Sequence, residues 1–587
     1  MSNLVWIPRV LCQRRCTNTQ INTTMYKYVQ NKLSCGVKDS LYGLLLLFPD
    51  SGNDKEEKPR LSNIHPHRAG IADMNPDITL NLGLQEYLTA VKDQPKPLII
   101  PLCVELPCPE ISPLDVYTGT RSHFGFLLES MEGSEKIARY SYIGIDPELV
   151  ITFGNTVKIQ GNEQFTAIVK DPEGETPVDQ IKSILSRFSY INVKAPRFFG
   201  GMVGYFAYDC VYSLFKKVRE GSRCSLNPAG TPESENQDAR FMLTKDCIVF
   251  DHAEQKLYIF SSPFLTYDSD LKYEYNQSFS KIQELRDRIA ILTSCNYTCG
   301  RKRQERNKKK VGYIPSVSQE SFEKSVRKIQ ENIAAGDIFQ AVLSRRIECE
   351  VSRDPFAIYA ALREINPSPY MYYIDFGDEQ VIGASPEMLV RVEKRRVTTV
   401  PIAGTRPRGR DSREDAEYAQ DLLADPKERA EHTMLVDLAR NDLGRVCRFG
   451  SVEVEEFMGI EKFSHVQHIV STVRGVLKDN LDCYDAFKSC FPAGTVSGAP
   501  KIRAMQIIDQ EESQSRGLYA GAVGYIGFDR NLEFAIAIRT VIVRNGKASV
   551  QVGAGIVADS IPENEWKETE SKASAMLRAI ERAGVSS

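Results

Sequence analysis

Two short stretches recur across the chain in the same order, and they constrain the fold more than any single motif. Ile143-Gly-Ile-Asp-Pro-Glu-Leu149 is echoed by Ile382-Gly-Ala-Ser-Pro-Glu-Met388, and Gly201-Met-Val-Gly-Tyr-Phe-Ala-Tyr-Asp209 by Gly521-Ala-Val-Gly-Tyr-Ile-Gly-Phe-Asp529. The offsets between copies differ, so this is no solenoid of fixed period. A diverged internal duplication accounts for the shared order. Apolar and alternating runs around the echoes predict strands at 99–104, 125–128, 149–153, 247–250, 523–528, 533–543 and 548–552. Helical periodicity predicts helices at 317–335, 354–365, 414–441, 499–511 and 563–583. Antiparallel sheets mixed with longer helices make an α+β layered fold.

Breaks in composition divide the chain. Residues 1–73 differ from the rest: the first 38 hold no Asp or Glu but do hold Arg9, Arg14, Arg15, Lys27, Lys32 and Lys38. That suits a targeting peptide, or a disordered or non-native extension with Met74 as an alternative start. A segment at 74–294 is followed by a basic linker at 295–311 and a long segment at 312–587. Residues 216–238 read as a surface loop. The linker carries seven basic residues between Cys295 and Lys310, but without interleaved aromatics it reads as solvated rather than as a nucleic-acid patch.

With 74 basic against 77 acidic residues, no global field points to nucleic acid or a membrane surface. The 14 cysteines form no C-x-x-C and no zinc spacing, which fits a reducing, cytoplasmic setting. The longest apolar run, residues 41–48, is too short to cross a bilayer. A small ligand is the expected partner.

Carboxylates supply the clearest chemistry. Glu428-Arg-Ala-Glu431 and Glu565-Trp-Lys-Glu568 each place two acids at i and i+3 on a predicted helix, one face apiece. Either pair alone reads as a solvated face; two facing pairs suit a hard cation such as Mg2+, which takes oxygen ligands and keeps waters. The Gly-rich stretch from Pro492 to Lys501 lacks P-loop spacing and reads as a turn into a helix, either structural or suited to an anion at its free N-H groups. Gly553-Ala554-Gly555 closes a strand and admits either a bulge or close approach of a ligand. Arg539 suits a carboxylate or a surface ion pair. His468, between apolar residues of a strand, is either a satisfied half-buried imidazole or a general acid or base. His432 points away from Glu431 on the helix. There is no G-x-S-x-G elbow, no G-x-G-x-x-G opening a βαβ unit and no G-x-C-x-G thiol elbow.

Several long blocks, taken in order, resemble the chorismate-utilising enzymes, and among them component I of the anthranilate synthases. They are residues 336–345, Ile382-Gly-Ala-Ser-Pro-Glu387, Pro401-Ile-Ala-Gly-Thr405 through Gly409, 431–443, the Pro492 to Lys501 turn, and Gly553-Ala-Gly555. The resemblance spans roughly 80 to 583 and implies a layered α/β/β/α sandwich with two large, mainly antiparallel sheets flanked by helices. It implies a Mg2+-dependent attack of ammonia on C2 of chorismate, departure of the C4 hydroxyl, and elimination of pyruvate to give anthranilate, the first committed step of tryptophan biosynthesis. Glu431 and Glu568 then contact the metal, with Glu428 and Glu565 holding metal-bound waters. Glu387 protonates the departing hydroxyl, and His468 serves the pyruvate-eliminating half. Gly404, Thr405, Thr495, Tyr519, Arg539, Gly553, Ala554, Gly555 and Lys572 bind substrate.

Two positions choose among relatives. Isochorismate and salicylate synthases place a Lys where Gln340 stands, to deprotonate water; ammonia needs no such base. Aminodeoxychorismate synthases carry Lys in the block that here contains Ala403. Both positions favour anthranilate synthase over the alternatives, an aminodeoxychorismate synthase component I or a non-catalytic regulatory subunit that binds an aromatic ligand. With no thiol elbow in the chain, the resemblance implies that ammonia comes from a separate glutamine amidotransferase subunit, anthranilate synthase component II. Ser130, with Asn366, Pro369, Tyr370 and Met371, resembles the family's feedback site for L-tryptophan; these residues also read as ordinary core strand and turn.

Overall fold

Segments from either side of the basic linker contribute neighbouring strands to the same two sheets. The computed structural model describes residues 79–131, 139–193, 196–220, 237–294, 311–352, 354–463 and 466–583, and Ile78–Ser587 cluster as one unit. The extension at 1–73, the linker at 295–310 and most of the 216–238 loop lie outside the described residues.

In the twelve-stranded sheet the inner path runs Lys547–Ile556, Thr540–Arg544, Glu379–Ser385, Tyr370–Asp375, Gly125–Glu129, Tyr140–Ile145, Asp246–Asp251, Lys256–Ser261. Gln340–Glu350 and Leu102–Pro107 flank this path. In the eleven-stranded sheet it runs Arg396–Thr399, Met388–Glu393, Leu532–Ile536, Ala522–Gly527, Gly201–Phe206, Gln237–Thr244, Leu149–Gly154, Lys158–Gly161. Counted outward from the central pair of each sheet, strands on the two sides correspond one for one and follow the same chain order. The central pairs are antiparallel, with Leu128 opposite Tyr372 in one sheet and Gly204 opposite Gly524 in the other. The echoed stretches therefore take corresponding places around a pseudo-twofold axis, 201–206 paired directly with 522–527 and the other two set one strand out on either side of the central pair, which is the geometry a duplicated unit produces.

Helices complete the layers. Along the central strands, Phe126, Tyr142 and Tyr372 turn toward the second sheet. Leu127, Ile143 and Tyr373 turn toward the helices, including Phe356–Ile365 and Pro562–Arg582. Apolar residues on both faces are what a strand buried on both sides requires, and each large side chain buried contributes about 1.5–3 kcal/mol. The α/β/β/α order follows. The copies differ mainly where residues 162–200 of the first are replaced by 400–521 of the second. That longer insertion brings helices Ser412–Ala424, Pro426–Val446, Cys483–Cys490 and Lys501–Glu511 and strands Ile402–Pro407, Glu453–Lys462 and Val466–Val476.

Three expected elements are divided. The strand expected at 533–543 is two, Leu532–Ile536 in one sheet and Thr540–Arg544 in the other. The break falls at Arg539, whose φ of 50° lies in the left-handed region and turns the chain between sheets. The helix expected at 414–441 ends at Ala424 and restarts at Pro426. Asp425 accepts from the backbone N-H of Lys427 and Glu428, and Pro occupies the first helical position. The strand expected at 99–104 divides around Ile100 and Pro101, sending Leu98–Ile99 into a separate three-stranded sheet. Among the described residues no helix is long and apolar enough to cross a membrane.

A candidate active site between the sheets

Glu387 and Arg539 both sit where the chain crosses from one sheet to the other, so their side chains enter the space between layers. Glu387 follows Glu379–Ser385 and precedes Met388–Glu393, and its carbonyl accepts from Ile536 N-H at 3.0 Å. These residues line a cavity of about 210 Å³ with Gln340, Gly404, Thr405, Glu431, His468, Thr495, Tyr519, Gly553, Gly555 and Lys572. Ten of these twelve come from the second copy's insertion or from its outer strands and last helix. The first copy supplies none.

Glycines let the walls close in. A Cβ at Gly553 would stand 2.6 Å from the Tyr519 hydroxyl and one at Gly555 2.7 Å from Gln340 Nε2. Side-chain substitution at either would push a polar wall residue out of place. Ala554, between them, turns to the opposite face by strand alternation and is buried with Leu343 and Ile556. It does not line the cavity. By the same alternation Gln551 does, and the period of two from Gly553 could have identified it. Val342, Ile402, Leu435 and Ile538 also line it; as apolar residues they carried no chemical signal in the sequence.

Each polar group has a definite state. Glu387 is 8% exposed, and burial pushes its carboxyl up to about 8, against the nearby Thr495 hydroxyl and the Lys572 charge. It therefore keeps its proton near neutrality. His468 Nδ1 lies 2.7 Å from the Gly404 carbonyl and 3.2 Å from Thr405 Oγ1. A carbonyl only accepts, so Nδ1 carries the proton and Nε2 is the basic nitrogen. Burial lowers the affinity of this imidazole for a second proton, and the Arg539 charge adds to that. Arg539 has no ion-pair partner among the described residues, and burial makes its charge costly. Such a guanidinium calls for an anionic ligand. Lys572 Nζ is 2.7 Å from Glu568 Oε1 and 3.0 Å from the Gly553 carbonyl.

The four glutamates lie near enough to act on one another beside this cavity. Glu431 lines it; burial raises its carboxyl, and the charges of Glu428 and Glu568 raise it further. Glu565 is raised by burial and then by Glu568, against a hydrogen bond with Ser560. A Cβ at Gly404, where φ is +67°, would stand 3.0 Å from Glu428 Oε2, and Arg406 holds the other oxygen of Glu428 at 3.3 Å. Mutual repulsion of this kind is relieved by a cation. Among the described residues no three acidic, His or Cys groups close on one point tightly enough to ligate a metal unaided. The donor set fits Mg2+, which prefers carboxylate oxygens and retains several waters.

Other candidates from the sequence are structural. Lys501 of the Gly-rich turn pairs with buried Asp442 at 3.0 Å, and of that turn Thr495 and Val496 line the cavity. The turn does run into a helix, Lys501–Glu511, with Pro500 immediately before it and supplying no side-chain cap. His432 is fully buried, bonded to Ser471 at 2.6 Å and lowered to about 4 by burial. A second, smaller cavity lies near the pseudo-twofold axis and is lined by Leu128, Ser130, Tyr142, Tyr370, Met371 and Glu533, among others. Asn366 and Pro369 are outside its lining.

Fold and cavity together define a class of enzyme. Residues 125–578 match the chorismate binding enzyme family, and the chain belongs to that family. Within it, the chain is similar to component 1 of anthranilate synthases. The protein of Acetivibrio thermocellus is 45% identical over 493 residues, 83% of this chain and 96% of the relative. That of Aquifex aeolicus is 43% identical over 511 residues, 86% and 99% of the two chains. The crystal structure of anthranilate synthase component I from Streptococcus pneumoniae aligns with a TM-score of 0.60 at 36% identity, covering 75% of this chain and 92% of that one. A menaquinone-specific isochorismate synthase from Escherichia coli shares the fold, with a TM-score of 0.58 at 18% identity over 85% and 98% of the chains.

Proposed function

We propose that this chain is the chorismate-aminating component of an anthranilate synthase, forming anthranilate and pyruvate from chorismate and ammonia. The observation that carries the reading is the identity of the group facing the nucleophile's side of the cavity. Gln340 stands there over Gly555, and the lysine among the described lining residues, Lys572, is engaged by Glu568 and the Gly553 carbonyl. At the Gln340 position the described residues place an amide, which is no base for activating water, whereas ammonia arrives with its own lone pair.

Arg539 is suited to hold the enolpyruvyl carboxylate, with Thr405, Thr495 and Tyr519 as further polar walls and Gly404, Gly553 and Gly555 leaving room for the ring. Glu387, still protonated near neutrality, gives its proton to the C4 hydroxyl, which leaves as water as the C2–N bond forms. His468 Nε2 is the free base that takes the C2 proton as the C3–O bond breaks and the ring becomes aromatic; the enolpyruvate released takes up a proton on its methylene to become pyruvate. Glu431 and Glu568, with Glu428 and Glu565 acting through water, would hold Mg2+, which when bound neutralises the ring carboxylate.

The full chain, incubated with chorismate, Mg2+ and an ammonium salt at mildly alkaline pH, should form fluorescent anthranilate. Isochorismate or aminodeoxychorismate as the end product would overturn the assignment. Glutamine should replace ammonium only when a separate amidotransferase, component II, is added.

The cavity near the pseudo-twofold axis supports a second reading, feedback by L-tryptophan. Its tyrosine walls suit an indole, and Ser130, Arg197 and Glu533 in its lining suit a zwitterion. It lies between strands of both sheets, so an occupant would bias how the sheets sit over the active site.

A further inference from the structure

Helix Pro562–Arg582 presents Glu565 and Glu568, and at its start Ser560 bonds Glu565 while Arg327 pairs with Glu563 at 3.5 Å. The residue before it is Ile561, which provides no side-chain cap and is 54% exposed. The helix is held from outside. Arg345, on strand Gln340–Glu350, lies on the face opposite Gln340 and Val342 and is 4% exposed. Its guanidinium stacks 3.8 Å from the centre of the Trp566 ring, and its Nε donates to Thr569 Oγ1 at 2.8 Å. Thr569 passes the bond on to the Trp566 carbonyl at 2.6 Å. Trp566 also meets Phe322 edge to face, with ring centres 5.6 Å apart.

One side chain thus grips two points three residues apart on the same helix, which fixes rotation about the helix axis. An α-helix with its side chains is about 10–12 Å across, so a turn of roughly 10° moves a carboxylate at its rim by about 1 Å. Mg2+ demands near-ideal octahedral distances and does not tolerate such a displacement. Arg345 makes no ion pair within 4 Å among the described residues; burial disfavours its charge, and the more distant Glu570 carboxylate offsets only part of that. A buried, unpaired guanidinium is expensive, and filling space alone would be served better by an apolar residue.

We infer that Arg345 is a positioning residue that sets the rotation of helix Pro562–Arg582 and so aims Glu565 and Glu568 at the cation. The inference rests on the metal-binding reading above. Orienting partners of metal ligands typically change metal affinity 10–100-fold when removed.

The test is Mn2+ binding to the full chain with chorismate present and ammonia absent, followed by electron paramagnetic resonance of free Mn2+. Arg345→Met should weaken Mn2+ binding by roughly 10–100-fold and leave the KM for chorismate at saturating Mg2+ unchanged. Arg345→Lys, which keeps the charge but loses the planar fork, should not restore the affinity. Unchanged or tighter Mn2+ binding by Arg345→Met overturns the inference. If Arg345→Met fails to fold, Trp566→Phe must weaken Mn2+ binding in the same direction, and unchanged binding there overturns it equally. Wild-type Mn2+ affinity in Glu568→Gln would instead sink the metal reading itself, so the two failures are distinguishable.

Discussion

Glu387 and Glu148 occupy corresponding places in the two copies of the repeat, each where the chain leaves the twelve-stranded sheet for the eleven-stranded one. Lys245 Nζ lies 3.4 Å from Glu148, whereas Glu387 has no ion pair among the described residues and is raised to about 8 by burial. Lys245 itself stands at the turn that corresponds to Arg539. One copy has neutralised its carboxylate with its own cation; the other has kept a protonated acid apart from an unpaired guanidinium. That separation makes room for a ligand carrying the missing negative charge.

Replacing Glu387 by Gln removes the acid while keeping its shape. Turnover should fall by roughly 10²- to 10⁴-fold, measured as anthranilate fluorescence. Glu148→Gln should leave turnover unchanged, because that carboxylate faces only its own lysine and neighbouring chain.

The same carboxyl gives a pH signature. Its folded value of about 8 lies above the ordinary 4.5, so between these pH values the folded chain keeps a proton that the unfolded chain has lost. Its contribution to stability therefore falls as pH rises through that window. In thermal melts Glu387→Gln should gain Tm over the wild type at pH 8 and show little gain near pH 4; an equal gain at both would show that ionisation is not the cause. Wild-type turnover at saturating free ammonia should decline above about pH 8.

Arg539 is expected to bind through charge-assisted hydrogen bonds worth about 1.5–3 kcal/mol each. Arg539→Ala should lower kcat/KM for chorismate by roughly 10- to 150-fold, and Arg539→Lys should recover only part of this, since a single ammonium cannot form the bidentate fork. An unaltered kcat/KM would place the carboxylate elsewhere.

His468→Gln retains a donor toward the Gly404 carbonyl but supplies no basic nitrogen to the cavity. The first half of the reaction should continue, and a product that contains nitrogen and still bears the enolpyruvyl group should accumulate, visible by mass spectrometry. Normal anthranilate yield would remove His468 from the elimination.

Ser130→Phe places a ring in the small cavity near the pseudo-twofold axis. Tryptophan inhibition should disappear while uninhibited turnover stays largely intact. Undiminished inhibition would show that the effector binds elsewhere.

Strand and helix periodicity, the repeat and the resemblance together were sufficient for the α/β/β/α layering, and for naming most of the polar residues that line the cavity, because each of these is carried by local order along the chain. Gln340, Glu387, His468 and Arg539 were legible as chemistry within their own blocks. Alternation puts Gln551, Gly553 and Gly555 on one strand face and Ala554 on the other, but the sequence alone could not show which of the two faces meets the cavity. Nor could it show the breaks at Arg539 and Asp425, where a left-handed backbone and a side-chain cap override a continuous apolar pattern. The raised carboxyl of Glu387, the lone guanidinium of Arg539 and the grip of Arg345 on Trp566 and Thr569 belong to the tertiary structure. Each arises from groups distant in the chain that share one buried space, and burial, not residue identity, fixes the charge a group can hold.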